Sequence, residues 1–524
     1  MAKYLSLPPK VDEATMDKAV AEFTAIVGKQ FIYLKQEEMA SYCKVMMSKK
    51  IEDLMPSMAM APKNTEEIQA ILKVCNKYKI PVWTFSTGKN LGYGTTAPGR
   101  KGSALLDLRR MNKIIEVNEE LAYALVEPGV TYQALYDYIK EKNMKLWLSF
   151  AAPSAICGPV GNTLDRGIGY TPYGEQFMFQ CGMEVVLADG QVLRTGMGGI
   201  ENSNSWQVFK WGYGPYLDGI FTQSNYGIVT KMGFWLMPEP PVYKPFCISF
   251  PKENDITEIV ETLRPYRIGG VLQNSFTIAS TSYEAAAVAD RRNYHNGAGH
   301  ITDEELEQLR KDHELGAWTV YAALYGDEVT VNHNWEIVKN LFKHRDDVVY
   351  YSDDDLKGDP IWDYRTALMK GDLTLQEFSL YNWKGGGGSM WFAPVSPALG
   401  DHTLKQMKKT KEILNKHGLD YVGEFVVGMR DMHHIVDILY DRTNEEERLA
   451  ADAAFHELID EMAKMGYGIY RTNNGMMDHV AETFGPVARD INHRIKQALD
   501  PNNILAPGKS GIDLNGWEPS KTNS

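Results

Sequence analysis

Cysteine is scarce in this chain: five thiols, Cys43, Cys75, Cys157, Cys181 and Cys247, are spread over 524 residues. Their number is odd and no two form a C-x-x-C pair. That excludes a disulfide framework, an iron–sulfur cluster, a cysteine zinc site and haem attached through C-x-x-C-H. The thiols are expected to be reduced core residues. Long hydrophobic runs are missing as well: no apolar stretch nears the ~18 residues that span a bilayer. The opening segment MAKYLSLPPKVDEATMDKAV sets Pro8, Pro9 and Asp12 where a secretory signal would carry its apolar core. Positive charge is in deficit, with 55 Lys and Arg against 68 Asp and Glu and a net charge of −13. This opposes nucleic-acid phosphates and leaves a basic protein as the partner that long-range attraction would steer. Dinucleotide and P-loop fingerprints are also absent. CGPVGNTLDRGIGYTPYG, from Cys157 to Gly174, is glycine-dense without the G-x-G-x-x-G spacing. Gly508-Lys509-Ser510 lacks the P-loop glycine, because Asn503 stands five positions earlier.

What the chain does contain is a globular composition, 44% hydrophobic, in a length too great for one core. Two large domains are expected, or three. The most telling segment is QEFSLYNWKGGGGSMWFAPV, Gln376 to Val395. Four glycines, Gly385 to Gly388, permit φ > 0 or close approach of backbone to a flat partner. Tyr381, Trp383, Trp391 and Phe392 bracket them, whereas a flexible linker would carry serines and other polar residues. The pattern suggests strands passing a planar ligand, with a tyrosine placed to touch it. A bulged sheet over an ordinary aromatic core is the plainer alternative.

Around Asn64 the sequence reads as a capped helix with an apolar stripe at Ile68, Ile71, Leu72 and Cys75. A strand from Val82 to Phe85 follows and empties into the Ser/Thr/Gly loop STGKNLGYG, rich in backbone donors suited to phosphate. Strands are expected near 104–108 and 122–126, then a helix from about Tyr132 to Lys142. Pro238, Pro240 and Pro241 mark a domain boundary. Thr302 to Glu305 forms a capping box, and the charge runs 352–355 and 444–448 are expected to be solvated loops or helix starts.

Taken together, STGKNLGYG, VEPGVTY, GPVGNTLDRGIGYTPYGE, CGMEVVLADG, QSNYGIVTKMGFWLMP, EFSLYNWKGGGGSMWFAPV, RDMHHIVDILYDRTN and NNILAPGKSGIDLN resemble the vanillyl-alcohol-oxidase family of flavoproteins. These blocks cover nearly the whole chain. The resemblance implies an α+β, two-domain fold. A discontinuous FAD-binding domain would comprise residues 1–240 and 466–524, and a cap domain with a large antiparallel sheet residues 241–465. It implies FAD attached covalently, as an 8α-O-tyrosyl group, through Tyr381. Cofactor contacts would come from Ser86, Thr87, Gly88, Lys89, Asn90, Leu91, Gly92, Pro128, Gly161, Asn162, Gly227, Ile228, Val229, Arg471 and Lys509. No metal site is expected.

The implied reaction is water-dependent hydroxylation of a 4-alkylphenol such as p-cresol at its benzylic carbon, followed by oxidation of the alcohol to the aldehyde. A phenol reacts best as its anion, so the site needs donors that favour phenolate. The resemblance supplies Tyr93, Tyr470 and Arg471. Packed core tyrosines are the bland alternative at the first two. Asp165 falls where the family keeps an aspartate near the flavin's reactive nitrogen, although an Asx turn beside Gly167 would also use it. Water addition to a quinone methide needs a base. Glu377, Glu424 and His433 are the candidates, and the sequence does not choose among them. His433 and His434 would diverge by about 100° on a helix and so cannot share a metal; His434 is expected to be structural. Relatives carry arginine where this chain has Lys509, which keeps the charge but loses the planar fork.

Electrons are expected to leave one at a time to a c-type cytochrome on a separate polypeptide, because this chain has no haem motif. A homodimer of flavoprotein subunits is implied too. An oxidase that makes hydrogen peroxide is the alternative within the family, and a non-catalytic flavin-binding scaffold the alternative outside it. Relatives act in the periplasm. With no export signal read here, co-export with a signal-bearing partner is the expectation, and a cytoplasmic location the alternative.

Overall fold

The computed structural model describes residues 3–150 and 155–517; positions 518–524, the end of the expected C-terminal segment, lie outside them. The first capping signal acts as read. The Asn64 side chain accepts from the Glu67 N–H at 2.9 Å and starts the helix Thr65–Tyr78. Its buried stripe of Ile68, Ile71, Leu72 and Cys75 packs against the helix Glu13–Val27. Lys79 closes the helix in the left-handed conformation, and the strand Val82–Phe85 follows, parallel to Ala104–Asp107. These two strands, with Ala59–Met60 and Ile32–Tyr33, form a four-stranded sheet. A second sheet of five antiparallel strands runs in the order Ile114–Asn118, Tyr123–Val126, Gly227–Trp235, Gln180–Leu187, Val192–Arg194.

From Val242 onward the chain builds a larger antiparallel sheet. Its order is Val349–Tyr351, Val242–Phe250, Trp318–Gly326, Phe276–Ser280, Gly423–Val427, Asp431–Tyr440 and Gly388–Phe392. Period-two alternation sorts its faces. Phe246, Ile248, Val320, Ala322 and Leu324 join one core, under the helices Asp255–Ile268, Gly400–Lys416 and Glu445–Lys464. Cys247, Tyr321, Ala323 and Tyr325 join the other, which also holds Tyr93, Tyr381 and Trp391. The sheet therefore carries a dry structural face and a second face turned to the aromatic residues singled out in the sequence.

The C-terminal segment returns to the N-terminal half. Val82 donates its N–H to the Ile504 carbonyl at 2.7 Å and accepts from the Ala506 N–H at 2.7 Å. Lys496, fully buried, pairs with Asp500 at 2.7 Å and donates to the carbonyls of Asn225 and Leu505. Breaking such a buried pair by removing one partner costs ~3–5 kcal/mol, so the tail is firmly fixed.

Two expectations need correction. Tyr381 is not on a strand but on a 3-10 turn, Gln376–Asn382, and the strand Gly388–Phe392 begins only after the glycines. Gly385, Gly386 and Gly387 have φ of +81°, +61° and +65°. A Cβ on Gly388 would meet the Tyr440 carbonyl oxygen at 2.4 Å. The run thus reverses the chain and packs it on the neighbouring strand. Second, His433 and His434 lie on the strand Asp431–Tyr440, so their side chains leave by opposite faces. That separates them further than a helix would, and a metal shared by the two is excluded more strongly still.

Candidate active site

The loop after the strand Val82–Phe85 opens into a large cavity between the two small sheets and the large one. Ser86, Thr87, Gly88, Lys89, Asn90 and Leu91 form one wall, and Pro128, Gly161, Asn162, Gly227, Ile228 and Val229 continue it. Gly161 sits where a Cβ would come within 2.4 Å of the Ser86 hydroxyl. Only a bare backbone lets the helix Pro159–Leu164 press against the donor loop. These residues fit a long ligand with phosphates: backbone amides and hydroxyls along one side, and apolar Ile228, Val229 and Leu505 along the other.

The same cavity is lined by Tyr93, Asp165, Glu377, Glu424, Tyr470, Arg471 and Lys509, which the sequence scatters over more than 400 positions. The Arg471 guanidinium lies over the Tyr93 ring, 4.1 Å from its centroid, and donates to the Asn90 side-chain oxygen at 2.5 Å. Asp165 caps the end of its short helix and receives Lys509 at 2.8 Å, with Arg471 at 4.0 Å. Burial opposes ionisation of Asp165, yet Lys509 and Arg471 hold its carboxyl below the usual range. Burial pushes the Tyr93 and Tyr470 phenols up, against the opposing pull of Arg471. Both therefore stay protonated and able to donate at neutral pH, beside a permanent cation. Such a group of donors binds an anionic oxygen.

Glu377 accepts from the Tyr283 hydroxyl at 2.8 Å through one oxygen; the other is buried without a hydrogen-bond partner among the described residues. Burial, then the charge of Glu424, raises its carboxyl to about 7. Glu424 is instead tied to Arg365 at 2.8 Å. The Arg365 guanidinium carbon lies 5.0 to 5.3 Å from the ring centroids of Tyr283, Tyr321 and Tyr364. So two neighbouring carboxyls have been differentiated: one neutralised by an arginine, one left with a free oxygen and a near-neutral titration.

Gly92, Tyr381 and His433 are not on the cavity wall but one layer behind it. Gly92 faces Trp391, where a Cβ would come within 2.4 Å of the indole. Tyr381 is buried beside Trp391, which lines the cavity; burial, then Asp437 and Glu377, push its phenol well up against the smaller opposing effect of the Trp391 hydrogen bond. His433 has its ring 4.5 Å from that of Tyr470 and pairs with Asp431 at 3.0 Å. His434, on the opposite face, accepts from or donates to Tyr421 at 2.8 Å and stacks on Phe425. Burial drives its pKa down to about 3, and it stays neutral.

Several residues here escaped the sequence reading: Tyr170, Tyr283 and Asn474 on the wall, and Arg365 and Asp437 behind it. Asp437 is fully buried, accepts from Ser389 at 2.6 Å, and is raised to about 8 by burial and by Glu377. A charged residue within the apolar strand run HHIVDILY was the available signal for it. Tyr283, in the helix Thr281–Val288, and Arg365 carried no signal beyond their residue type.

Comparison with known proteins agrees with this geometry. Residues 56–196 match a family described as FAD binding domain, and residues 280–510 match FAD linked oxidases, C-terminal domain. The chain is 54% identical over 510 residues to the 4-cresol dehydrogenase [hydroxylating] flavoprotein subunit of Pseudomonas putida, covering 97% of this chain and 98% of that one. A crystal structure of p-cresol methylhydroxylase with substrate bound superposes with a TM-score of 0.97, at 54% identity, covering 98% of this chain and 100% of that one. A 4-ethylphenol oxidase from Gulosibacter chungangensis, in complex with isoeugenol, superposes with a TM-score of 0.95 at 37% identity, covering 98% and 100%.

Proposed function

This chain belongs to the family of FAD-linked oxidases that includes the hydroxylating 4-cresol dehydrogenase flavoprotein subunit, and we propose from that membership and the cavity that it hydroxylates 4-alkylphenols. It is an FAD-dependent oxidoreductase, the flavoprotein subunit of a p-cresol methylhydroxylase. The observation that carries this reading is the cluster of Tyr93, Tyr470 and Arg471, a phenolate-selecting group in the same cavity as a carboxyl with a free oxygen.

FAD, when bound, accepts a hydride from the benzylic carbon and hands the two electrons on. Tyr93, Tyr470 and Arg471 bind the phenolic oxygen as its anion, whose charge pushes the hydride off the benzylic carbon attached at the para position. Asp165, kept ionised by Lys509 and Arg471, orients the reacting end. Lys509, paired with Asp165 on the cavity wall, would give a bound flavin a fixed cationic partner. The product of hydride loss is a neutral quinone methide, and water adds to its exocyclic carbon. Glu377 takes the proton of that water through its unpartnered oxygen; this choice over Glu424 and His433 is supported by Arg365 holding Glu424 and by His433 lying behind Tyr470. The ring oxygen recovers its charge and is reprotonated on release, giving the 4-hydroxybenzyl alcohol. A second cycle yields the 4-hydroxybenzaldehyde.

The loop Ser86 to Asn90, with Gly161, Asn162 and Gly227 to Val229, holds the cofactor. The described residues of 1–240 and 466–524 form the FAD-binding domain and 241–465 the cap; the large sheet starting at Val242 and the tail returning to Val82 support this division. Tyr381 carries the covalent bond to FAD, supported by its place against Trp391 one layer from the cavity. A flavoprotein subunit implies a partner subunit. That partner is a c-type cytochrome carrying the haem, in an assembly built on a flavoprotein homodimer, and the complex works in the periplasm. Among the described residues no helix is long and apolar enough to cross a membrane.

The 37% identical 4-ethylphenol oxidase makes direct use of oxygen the second reading. Turnover of p-cresol with cytochrome c as acceptor, run beside a peroxide assay, decides between them. Reduced cytochrome without stoichiometric peroxide is the expected result; peroxide matching substrate consumption overturns it.

A further inference from the structure

Behind the Asp165–Lys509 pair the structure holds a second cavity of about 410 Å³. That exceeds the ~150 Å³ that accepts a benzene ring. It shares Asp165, Gln223, Tyr470, Arg471 and Lys509 with the flavin cavity, but none of the Ser86 to Asn90 loop lines it. The Gln223 amide, donating to the Tyr470 carbonyl at 2.6 Å, and the Asp165–Lys509 pair form the partition.

The chemistry of this chamber contrasts with that of the whole molecule. In a chain of net charge −13, its lining has Arg166, Arg471, Arg489 and Lys509 against one carboxylate, Asp165. That carboxylate is already engaged by Lys509 and Arg471. Arg166 and Arg489 have no acidic partner in the chamber, although Arg166 donates to the Thr222 hydroxyl at 3.1 Å. Among the described residues, the Arg489 Nε and Thr472 hydroxyl are buried without hydrogen-bond partners. The rest of the lining includes Ile220, Ile469, Val480 and Phe484, an apolar sleeve with Phe484 exposed at its rim. An unsatisfied donor on a cation, beside an unsatisfied hydroxyl and set in an apolar sleeve, matches a flat apolar ligand with one anionic end.

We propose that this chamber binds an aryl anion, the phenolate or carboxylate of a 4-substituted benzoyl compound, at a site separate from the one that oxidises the substrate. The choice of ligand rests on the reaction assigned above. Oxidation ends at an aldehyde, whose carbonyl withdraws charge from the para oxygen and makes that phenol more acidic than an alkylphenol. Oxidation of the aldehyde by another enzyme yields the carboxylate. Either anion is the oxidised end of the same chemistry, and its binding next to Arg471 and Lys509 makes it a mixed inhibitor of turnover.

The test uses equilibrium dialysis of the holoprotein with 4-methoxybenzoate, which offers only a carboxylate, and with 4-hydroxybenzaldehyde above and below its phenol pKa. 4-Methoxybenzamide is the neutral control. Arg489→Met should weaken anion binding ~10-fold or more, the value of a hydrogen bond to a charged group. Arg489→Lys should retain most of it, and both should leave kcat/KM for p-cresol unchanged. Binding of either anion, lost in Arg489→Met and mixed in its inhibition, supports the site and tells which anion it takes. No anion binding, binding equal in the amide, affinity unmoved by Arg489→Met, or inhibition purely competitive with p-cresol overturns it. Dialysis needs no turnover, so failure of the assigned reaction and failure of this site are read separately.

Discussion

Glu377 and Glu424 are the same residue type in the same cavity, and only their neighbours separate them. Arg365 satisfies Glu424, whereas Glu377 has Tyr283 on one oxygen and no described partner on the other. With its carboxyl near 7, Glu377 is ionised above that pH and protonated below it. The water-addition step should therefore slow as pH falls through about 7, and Glu377→Gln should lose that limb. A positioned base contributes ~10²–10⁴-fold, so stopped-flow traces of the variant should show the quinone methide accumulating while the hydride step stays fast. An unchanged pH profile counts against Glu377. Tyr470→Phe removes one donor to the phenolate. A hydrogen bond to a charged group is worth ~1.5–3 kcal/mol, so kcat/KM for p-cresol should fall ~10–100-fold; wild-type kinetics would return Tyr470 to a packing role. Asp437 makes a stability prediction. Its carboxyl stands near 8 in the fold, because of burial and then Glu377, against ~4 in the unfolded chain. The unfolded state loses its proton first, so stability falls as pH rises across that window. Asp437→Asn should flatten the decline in Tm between pH 5 and 8, and parallel melting curves for the two proteins would refute the assignment.

At the level of elements, the segment from Gln376 to Phe392 combines three devices. A 3-10 turn presents Tyr381 inward, three left-handed glycines reverse the chain, and a fully buried strand brings Trp391 to the cavity wall. The glycines serve the turn and the contact with Tyr440, while the aromatic residues on either side face the site. Tyr381→Phe removes the hydroxyl without disturbing this packing. The variant should fold and bind FAD, but its flavin fluorescence should no longer travel with the polypeptide in denaturing electrophoresis. Fluorescence persisting on the variant's band would move the attachment elsewhere. The strand Asp431–Tyr440 illustrates the period-two rule at work. His433 reaches Tyr470, His434 enters the core beside Phe425, and Asp437 reaches Ser389 under the aromatic cluster.

For the whole molecule, the cavity exists only because three parts of the chain meet. The donor loop comes from the four-stranded sheet, Glu424 from the large sheet, and Arg471 and Lys509 from the returning tail. Electrons delivered there must leave, and the flavoprotein-subunit relative points to a partner subunit as their acceptor in the dehydrogenase reading. The holoprotein alone should reduce with p-cresol and reoxidise slowly in air, and added c-type cytochrome should accelerate reoxidation by at least ~10-fold over a neutral encounter, with strong salt dependence. Salt-independent reoxidation would remove the electrostatic argument drawn from the acidic surface.

Much of the site's inventory was legible in the chain itself. Local signals marked the Asn64 and Thr302 caps, the strand Val82–Phe85, the donor loop and the aromatic run around Tyr381, because capping, alternation and turn chemistry act over a few residues. The resemblance of long blocks supplied Tyr93, Asp165, Tyr470, Arg471 and Lys509. Tertiary structure alone decided which carboxyl keeps a free oxygen, since Arg365 and Glu424 are 59 positions apart. It also decided that His433 and His434 sit on a strand rather than a helix, and that Asp437 stays protonated. Hydrogen-bond partners and burial set these properties, and both depend on contacts between residues that the sequence holds far apart.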